Sequence, residues 1–308
     1  MSDHQPIAPE NSRTSYAPLG QPIEARACEP GLYLVATPIG NLGDISLRAL
    51  ETLAAANCIA CEDTRVTRKL TERYGIATPL MAYHEHNAAE ALPKIIARLS
   101  EGQAVALVSD AGTPLISDPG YRLVRAAVEA GHAVTAVPGA SAVLAALSLA
   151  ALPTDRFFFE GFLPPKQGAR QKRIAELASI PATLVLFESG PRLGASLADL
   201  AAGLGARAAS VCRELTKLHE EIRRGSLQSL AHDYADGGET RGEIVIVIAP
   251  PADIETADTD VDELLRNALS RVSVKDAVGE VALATGRARR DVYQRALDLA
   301  KGGDHGEK

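Results

Sequence analysis

The residues best placed to do chemistry lie between Val105 and Pro119. There the apolar run Val105-Ala106-Leu107-Val108 gives way to Ser109, Asp110, Ala111, Gly112, Thr113 and Pro114. An apolar run of this kind reads as a buried parallel strand, and ligands of open α/β sheets sit at the carboxyl ends of such strands. Asp110 offers an acceptor for a hydroxyl or amino group, and Gly112 removes the side chain that would keep a ligand away. A second apolar run, Val134–Val137, ends in Pro138-Gly139-Ala140-Ser141-Ala142. Two small-residue loops after two consecutive strands imply one crevice with two walls. Gly40-Asn41-Leu42-Gly43 is a looser relative of the same pattern. By itself it is a turn; beside the other two loops it becomes a third edge.

Several other groups have two readings. Glu62-Asp63-Thr64-Arg65 ends a short strand over Cys58–Ala60. Either Asp63 or Thr64 caps the following helix, or Glu62 or Asp63 approaches a reacting hydroxyl while Arg65 meets a phosphate. Ser141 is either an N-cap, a ligand contact, or both. His84 and His86 follow the third strand, and His84 has the chemistry of a base at neutral pH. Cys58 and Cys61 form a CxxC without the second pair that a zinc knuckle needs, so they read as small buried hydrophobes. No GxSxG, HExxH or GxGxxG occurs, so neither a serine nucleophile nor a metal centre is expected.

Charge narrows the partners. The net charge of −7 argues against nonspecific attraction to nucleic acid. Its distribution argues the other way: Arg65, Arg68, Lys69 and Arg73 cluster, as do Lys166, Arg170, Lys172 and Arg173, and then Arg287, Arg289 and Arg290. Three basic clusters on an acidic chain lean toward local phosphate contacts, although each alone reads first as a solvated helix face. Lys166 and Arg170, after Gly161-Phe162-Leu163-Pro164-Pro165, read as a flap over a substrate or as a plain basic surface loop.

These groups need a scaffold. Apolar runs at Leu32–Ala36, Cys58–Ala60, Leu80–Tyr83, Val105–Val108 and Val134–Val137 alternate with helical patterns at Ser46–Ala56, Thr64–Tyr74, Ala88–Leu99, Tyr121–Ala130 and Ser141–Leu149. Repeated βα units predict a mostly parallel sheet with helices on both faces. After a hinge at Leu152–Asp155, runs at Phe157–Glu160, Thr183–Phe187, Ala208–Cys212, Glu221–Arg224 and Glu243–Ile248 predict a second sheet of mixed direction, with polar Glu221–Arg224 at an edge or in a hairpin. Val261–Arg271, Val274–Ala284 and Ala288–Ala300 predict a helical tail of helix–turn–helix cadence, which either touches RNA or packs on the core. The expected organisation is a disordered extension over 1–29, α/β domains over 30–151 and 152–252, and a helical segment over 258–308. No apolar run reaches transmembrane length, and no signal peptide is evident, so a cytoplasmic protein is expected. Cysteine usage agrees with a reducing compartment.

VSDAGTPLISDPG, VPGASA, the opening LVATPIGNLGD and the EDTR at Glu62–Arg65 occur in one order along the chain. Together they resemble the tetrapyrrole methylase family of S-adenosylmethionine enzymes, and within it the branch acting on small-subunit ribosomal RNA. The resemblance runs from about Gly31 to about Arg295. It implies two α/β domains with the cofactor in the cleft between them, and a homodimer. It places Pro38, Ser109, Asp110, Ala111, Gly112, Thr113, Ser141 and Ala142 on the cofactor from the first domain, with Asp110 on its ribose or amino-acid end. From the second domain it adds Phe187, Glu188, Glu214 and Gly242. It implies 2′-O-methylation of a cytidine in 16S RNA, free or in the assembled 30S subunit. Glu62, Asp63 and Arg65 would then be catalytic, and Arg65, Arg68, Lys69, Lys166, Arg170, Arg289 and Arg290 would hold RNA. The alternatives are a tetrapyrrole methyltransferase of the same family and a non-catalytic RNA-binding module.

Overall fold

A computed structural model describes residues 15–235, 240–251, 258–285 and 287–302. The chain divides into two compact units, with the division after Pro250.

In the first unit, Ser15–Tyr16 (β1) and Ile23–Glu24 (β2) pair as a small antiparallel hairpin. Tyr16 and Ala25 are buried in the core, and the Arg26 guanidinium donates to both Glu51 carboxylate oxygens at 2.8 and 3.0 Å. The extension expected to be disordered over 1–29 is therefore ordered from Ser15 onward. Two apolar anchors in a polar stretch are too few to show as a periodic pattern. Residues 1–14 lie outside the described residues.

Gly31–Val35 (β3), Cys58–Cys61 (β4), Leu80–Ala82 (β5), Ala104–Val108 (β6) and Val134–Val137 (β7) form an all-parallel sheet in the order β5-β4-β6-β3-β7. Leu47–Ala55 (α1) and Thr64–Arg73 (α2) share a core with Ile59, Ala106 and Val108. Ala88–Ser100 (α3) and Tyr121–Glu129 (α4) share another with Ala60, Val105 and Leu107. Successive residues of β6 thus feed opposite faces, as strand geometry requires. The helix that follows β3 lies on one face and the helix that follows β6 on the other, although β3 and β6 are neighbours. Their loops part at the carboxyl edge, the switch point at which doubly wound sheets open a crevice. The α3 helix runs through Pro93.

Ala142–Ala150 (α5) passes to the second sheet. There Phe157–Phe162 (β8), Thr183–Ser189 (β9), Ala208–Arg213 (β10), Glu221–Ser226 (β11) and Glu243–Ile248 (β12) take the order β11-β10-β12-β9-β8. Only the β8–β9 pair is parallel, so the sheet is mixed, and polar β11 is an edge strand as its composition predicted. Val143, Ala146 and Leu147 of α5 cover one face with Val185, Cys212, Val245 and Val247. Leu193–Leu204 (α7) and Leu227–Asp233 (α8) cover the other, with Gln167–Leu177 (α6) beside α7.

The second unit holds Asp258–Leu269 (α9), Val274–Thr285 (α10) and Arg289–Gly302 (α11), close to the three predicted helices. Val261, Leu265, Ala277, Val281, Val292 and Ala296 form its core. Ser273 caps α10, accepting from the Asp276 amide and donating to its carboxylate at 2.6 Å. Asp262 pairs with Arg295 at 2.7 Å.

Candidate functional site

Three loops leave the parallel sheet at one edge and are tied to one another by backbone. Thr37 after β3 and Gly112 after β6 exchange both amide hydrogen bonds, at 2.8 and 3.0 Å, and Thr37 Oγ1 donates to the Ser109 carbonyl at 3.2 Å. Gly112 has φ +76°, and a Cβ there would stand 3.3 Å from Ile39 Cγ2. That close approach explains the glycine. Thr113 Oγ1 donates to the Ala140 carbonyl at 3.3 Å, which joins the third loop. Asp110 Oδ1 accepts from the Asp63 amide at 3.0 Å and brings in the end of β4.

Between these loops and the carboxyl end of β9 lies a cleft of about 400 Å³. Asp110, Ala111, Gly112, Thr113, Ser141 and Ala142 line it from the first sheet, and Phe187, Glu188 and Gly242 from the second. Glu62 lines it as well. Pro38, Ser109 and Glu214 do not: Ser109 is buried, its hydroxyl donating to the Ala111 carbonyl at 3.2 Å. Asp118, Ile39, Leu215 and Phe162 belong to the wall without having been singled out in the sequence. Asp118 stands in the VSDAGTPLISDPG motif, so proximity along the chain was a usable signal.

The electrostatics separate the carboxylates. Glu62, Asp110 and Asp118 are all held above the ordinary carboxylate range, in each case chiefly by burial and further by a neighbouring carboxylate. Asp63 goes the other way. The Arg65 side chain and amide both donate to it, and together they pull it down to about 2. Asp63 is the N-cap of α2, its Oδ1 accepting from the Arg65 amide at 2.8 Å. Arg65 is exposed, with Nη2 2.6 Å from Asp63 Oδ2.

The second sheet's carboxylates are engaged. Glu188 is 3% exposed; its oxygens accept from Ser196 Oγ at 2.5 Å and the Ser189 amide at 2.8 Å, and the Arg192 Nε lies 3.3 Å away. Glu214 accepts from Lys217 Nζ at 2.8 Å and from the Glu243 amide at 3.0 Å, and the lysine holds it below its usual range. Gly242 has φ +103°, and a Cβ there would meet Glu214 Oε1 at 2.5 Å. Glu214 therefore shapes the wall from behind.

The basic clusters divide in the same way. Arg65, Arg68, Lys69 and Arg73 stand exposed along α2, which starts at the cleft, while Thr67, Leu70 and Thr71 turn inward. Arg170 is buried, its Nη2 2.6 Å from Asp199 Oδ2 and its Nη1 donating to the Pro165 carbonyl at 3.2 Å. Burial pushes the Asp199 carboxyl up, but hydrogen bonds from Gln171, Arg170 and Gln167 outweigh it and leave a net lowering. Buried and paired with Asp199, Arg170 is withdrawn from the surface where a phosphate would be met, and the segment expected as a flap or basic loop continues at once into α6. Lys166 is exposed just before that helix. Arg289 and Arg290 are exposed on α11, beside Lys275 and Tyr293 around a hollow of about 490 Å³.

The remaining candidates lie elsewhere. The His84 and His86 rings are 6.1 Å apart and line no part of the cleft. Cys58 and Cys61 are buried in β4, their thiols pushed up by burial. Among the described residues no group of His, Cys, Asp and Glu side chains is arranged to hold a metal ion, and no helix is long and apolar enough to cross a membrane. A larger hollow of about 730 Å³ beside α7 and α8 is walled by small residues such as Gly194, Ala195 and Ala198, with no carboxylate, thiol or imidazole among the described residues. Size alone would favour it; chemistry favours the cleft.

Comparison with known proteins agrees with this architecture. A protein from Mesorhizobium japonicum, described as ribosomal RNA small subunit methyltransferase I, is 53% identical over 278 residues, which cover 90% of this chain and 95% of that one. A protein of the same description from Pseudomonas aeruginosa is 46% identical, covering 86% and 96%. Among solved structures, a diphthine synthase superposes with TM-score 0.55 at 21% identity over 71% of this chain and 89% of its own. A conserved hypothetical protein from Aeropyrum pernix gives 0.56 at 20% identity, covering 91% and 100%. Residues 255–300 match the family model described as the RsmI C-terminal HTH domain. Residues 31–231 match the model of the tetrapyrrole (corrin/porphyrin) methylases, and the chain belongs to that family.

Proposed function

We propose that this protein is an S-adenosylmethionine-dependent methyltransferase acting on the 2′-hydroxyl of a cytidine in small-subunit ribosomal RNA. The observation that carries the reading is the cleft at the switch point, walled on one side by Glu62, Asp110 and Asp118, with the basic helix α2 starting at that wall. The names of the 53% and 46% identical relatives point to the same substrate.

The wall fits such a cofactor. Three carboxylates in a partly buried cleft suit a ligand carrying a sulfonium and an ammonium charge, and their raised pKa values leave room to be lowered by a cation. The backbone at Gly112 and Gly242 allows close approach, and Ile39, Phe187 and Leu215 give apolar cover. Asp110, Thr113 and Ser141 would hold the polar ends. The bound cofactor supplies a methyl group on an electron-poor sulfur, already activated for transfer.

The protein's part is placement and proton management. Transfer would join the ribose oxygen to that methyl carbon, with the electron pair of the broken carbon–sulfur bond left on sulfur. The hydroxyl proton must leave. Glu62 is the acceptor we assign, because it lines the cleft and burial lifts its basicity, whereas Asp63 is tied down by Arg65. Arg65, Arg68 and Lys69 would hold flanking phosphates, with Lys166, Arg289 and Arg290 as further contacts. A cytoplasmic homodimer acting on the free RNA or the assembled 30S subunit completes the reading. Transfer of labelled methyl from the cofactor to unmethylated small subunits, to free 16S RNA and to a porphyrin precursor tests it. Label must enter the ribose of a cytidine; label in the porphyrin alone defeats the reading.

A further inference from the structure

The methyl acceptor proposed above sits on the ribose carbon next to the one that bears the base. A ribose that enters a cleft of about 400 Å³ therefore carries its base to the lip, out of its stack. Enzymes that extract a nucleotide in this way offer the base an aromatic or apolar face in exchange for the lost stacking.

Among the described residues the cleft has one such lip. Phe162, the last residue of β8, lines the cleft yet is 54% exposed. Its ring is buttressed: Phe162 and Phe187 pack edge to face at 5.6 Å, and Phe187 and Phe159 at 4.9 Å. Across from β8, Ile116 lines the same cleft and is 43% exposed. It is held outward by two unusual neighbours, since Leu115 and Ser117 both take positive φ, 74° and 62°. Non-glycine residues keep that conformation only where the surroundings impose it. Leu115 packs into the first-sheet core, and Ser117 Oγ lies 3.1 Å from where a Cβ on Gly161 would stand. That contact joins the 113–118 loop to the end of β8, so Ile116 and Phe162 belong to one rim. The N-cap of α2 is tied to the cleft wall through the Asp63 amide and Asp110, and Arg65 stands exposed in the first turn that follows, where a phosphate beside an extracted nucleotide would be met.

We propose that Phe162 and Ile116 form a nucleobase subsite that takes the base of the nucleotide being methylated, resting on the RNA reading above. Phe162 stacks on the base and Ile116 closes its other side; both are positioning residues. Base–aromatic stacking tolerates any base, so the subsite orients the nucleotide and leaves sequence choice to other contacts.

The test is steady-state methylation of unmethylated small subunits, with S-adenosylmethionine affinity measured by calorimetry on the same full-length proteins. Phe162→Ala should lower kcat/KM for RNA roughly 5- to 150-fold, the range expected for one lost base stack, and leave cofactor affinity within twofold. Phe162→Tyr should restore activity, because the face is kept. Ile116→Ser should shift the same constant in the same direction by less, and it serves if the alanine variant does not fold. A parallel loss of cofactor affinity would assign the ring to the cofactor's adenine and overturn the proposal. Unchanged kcat/KM in both variants would overturn it too, with the RNA reading intact. Wild-type protein that transfers no methyl to RNA would remove that reading and the subsite with it.

Discussion

The two walls of the cleft carry carboxylates of different standing. On the first sheet, Glu62, Asp110 and Asp118 are pushed above their ordinary range chiefly by burial and further by neighbouring carboxylates, Asp63 in the case of Asp110. On the second, Glu188 is closed in by Ser196, Ser189 and Arg192, and Glu214 by Lys217 and Glu243. A carboxylate whose oxygens already accept strong donors belongs to the frame. One lifted in pKa at an open wall is where a proton or a ligand's positive charge can go. The basic residues repeat the contrast: Arg68 and Lys69 face solvent on α2, whereas Arg170 is buried against Asp199.

The largest effect should fall on the first wall. Glu62→Gln should lower kcat by roughly 10²–10⁴-fold, the usual contribution of a positioned base, and weaken cofactor affinity by much less. Asp63→Asn keeps the helix cap and should leave kcat within a few-fold. Glu188→Gln should lower the melting temperature more than it lowers kcat. Equal losses of kcat in the Glu62 and Glu188 variants would erase the contrast between the walls.

The basic residues should split along the same line. Arg170→Ala leaves the Asp199 carboxylate buried without its cation, a change that costs about 3–5 kcal/mol of stability. It should leave the salt dependence of RNA binding unchanged. Arg68→Ala and Lys69→Ala should each lower the salt slope of RNA binding by about 1 without moving the melting temperature. A changed salt slope in an Arg170→Ala protein that is still folded would return that residue to the RNA surface.

The same division explains what could be read from the sequence. The parallel sheet was legible because its buried strands are apolar runs set between amphipathic helices, and β7 and β12 match their predicted bounds. The loop 109–113 was legible because Asp110 and Gly112 are residue types that a strand end needs only for special reasons. Arg170 was misread because a buried arginine and an exposed one look alike in a string of basic residues; its partner Asp199 stands 29 positions away. Glu188 and Glu214 came with the family resemblance; Lys217, three positions on, was a readable partner for Glu214, whereas Ser196, which donates to Glu188, looks like any other polar residue of a helix. The hairpin at 15–24 was hidden because each of its strands is two residues long, too short to show an alternation.

The smallest effect, and the most direct probe of the first wall, is a pH dependence. Glu62, Asp110 and Asp118 bind their protons more tightly in the folded protein than in the unfolded chain. Between the ordinary and the raised values the native state therefore holds more protons. The ligand-free protein should lose stability as pH rises through that window. A cation placed among these groups favours their ionised forms. Affinity for S-adenosylmethionine should then rise with pH through the same window, by at most about tenfold per pH unit for each proton released. S-adenosylhomocysteine keeps the ammonium but has a neutral thioether, so its profile should be shallower. Calorimetry in two buffers of different ionisation heat counts the protons directly. More protons released by the sulfonium than by the thioether, with a smaller difference in Asp118→Asn, would place the methyl-bearing sulfur at this wall. Identical release by both ligands would mean that the carboxylates meet only the ammonium end, and Glu62 would then stand too far from the reacting oxygen to take its proton.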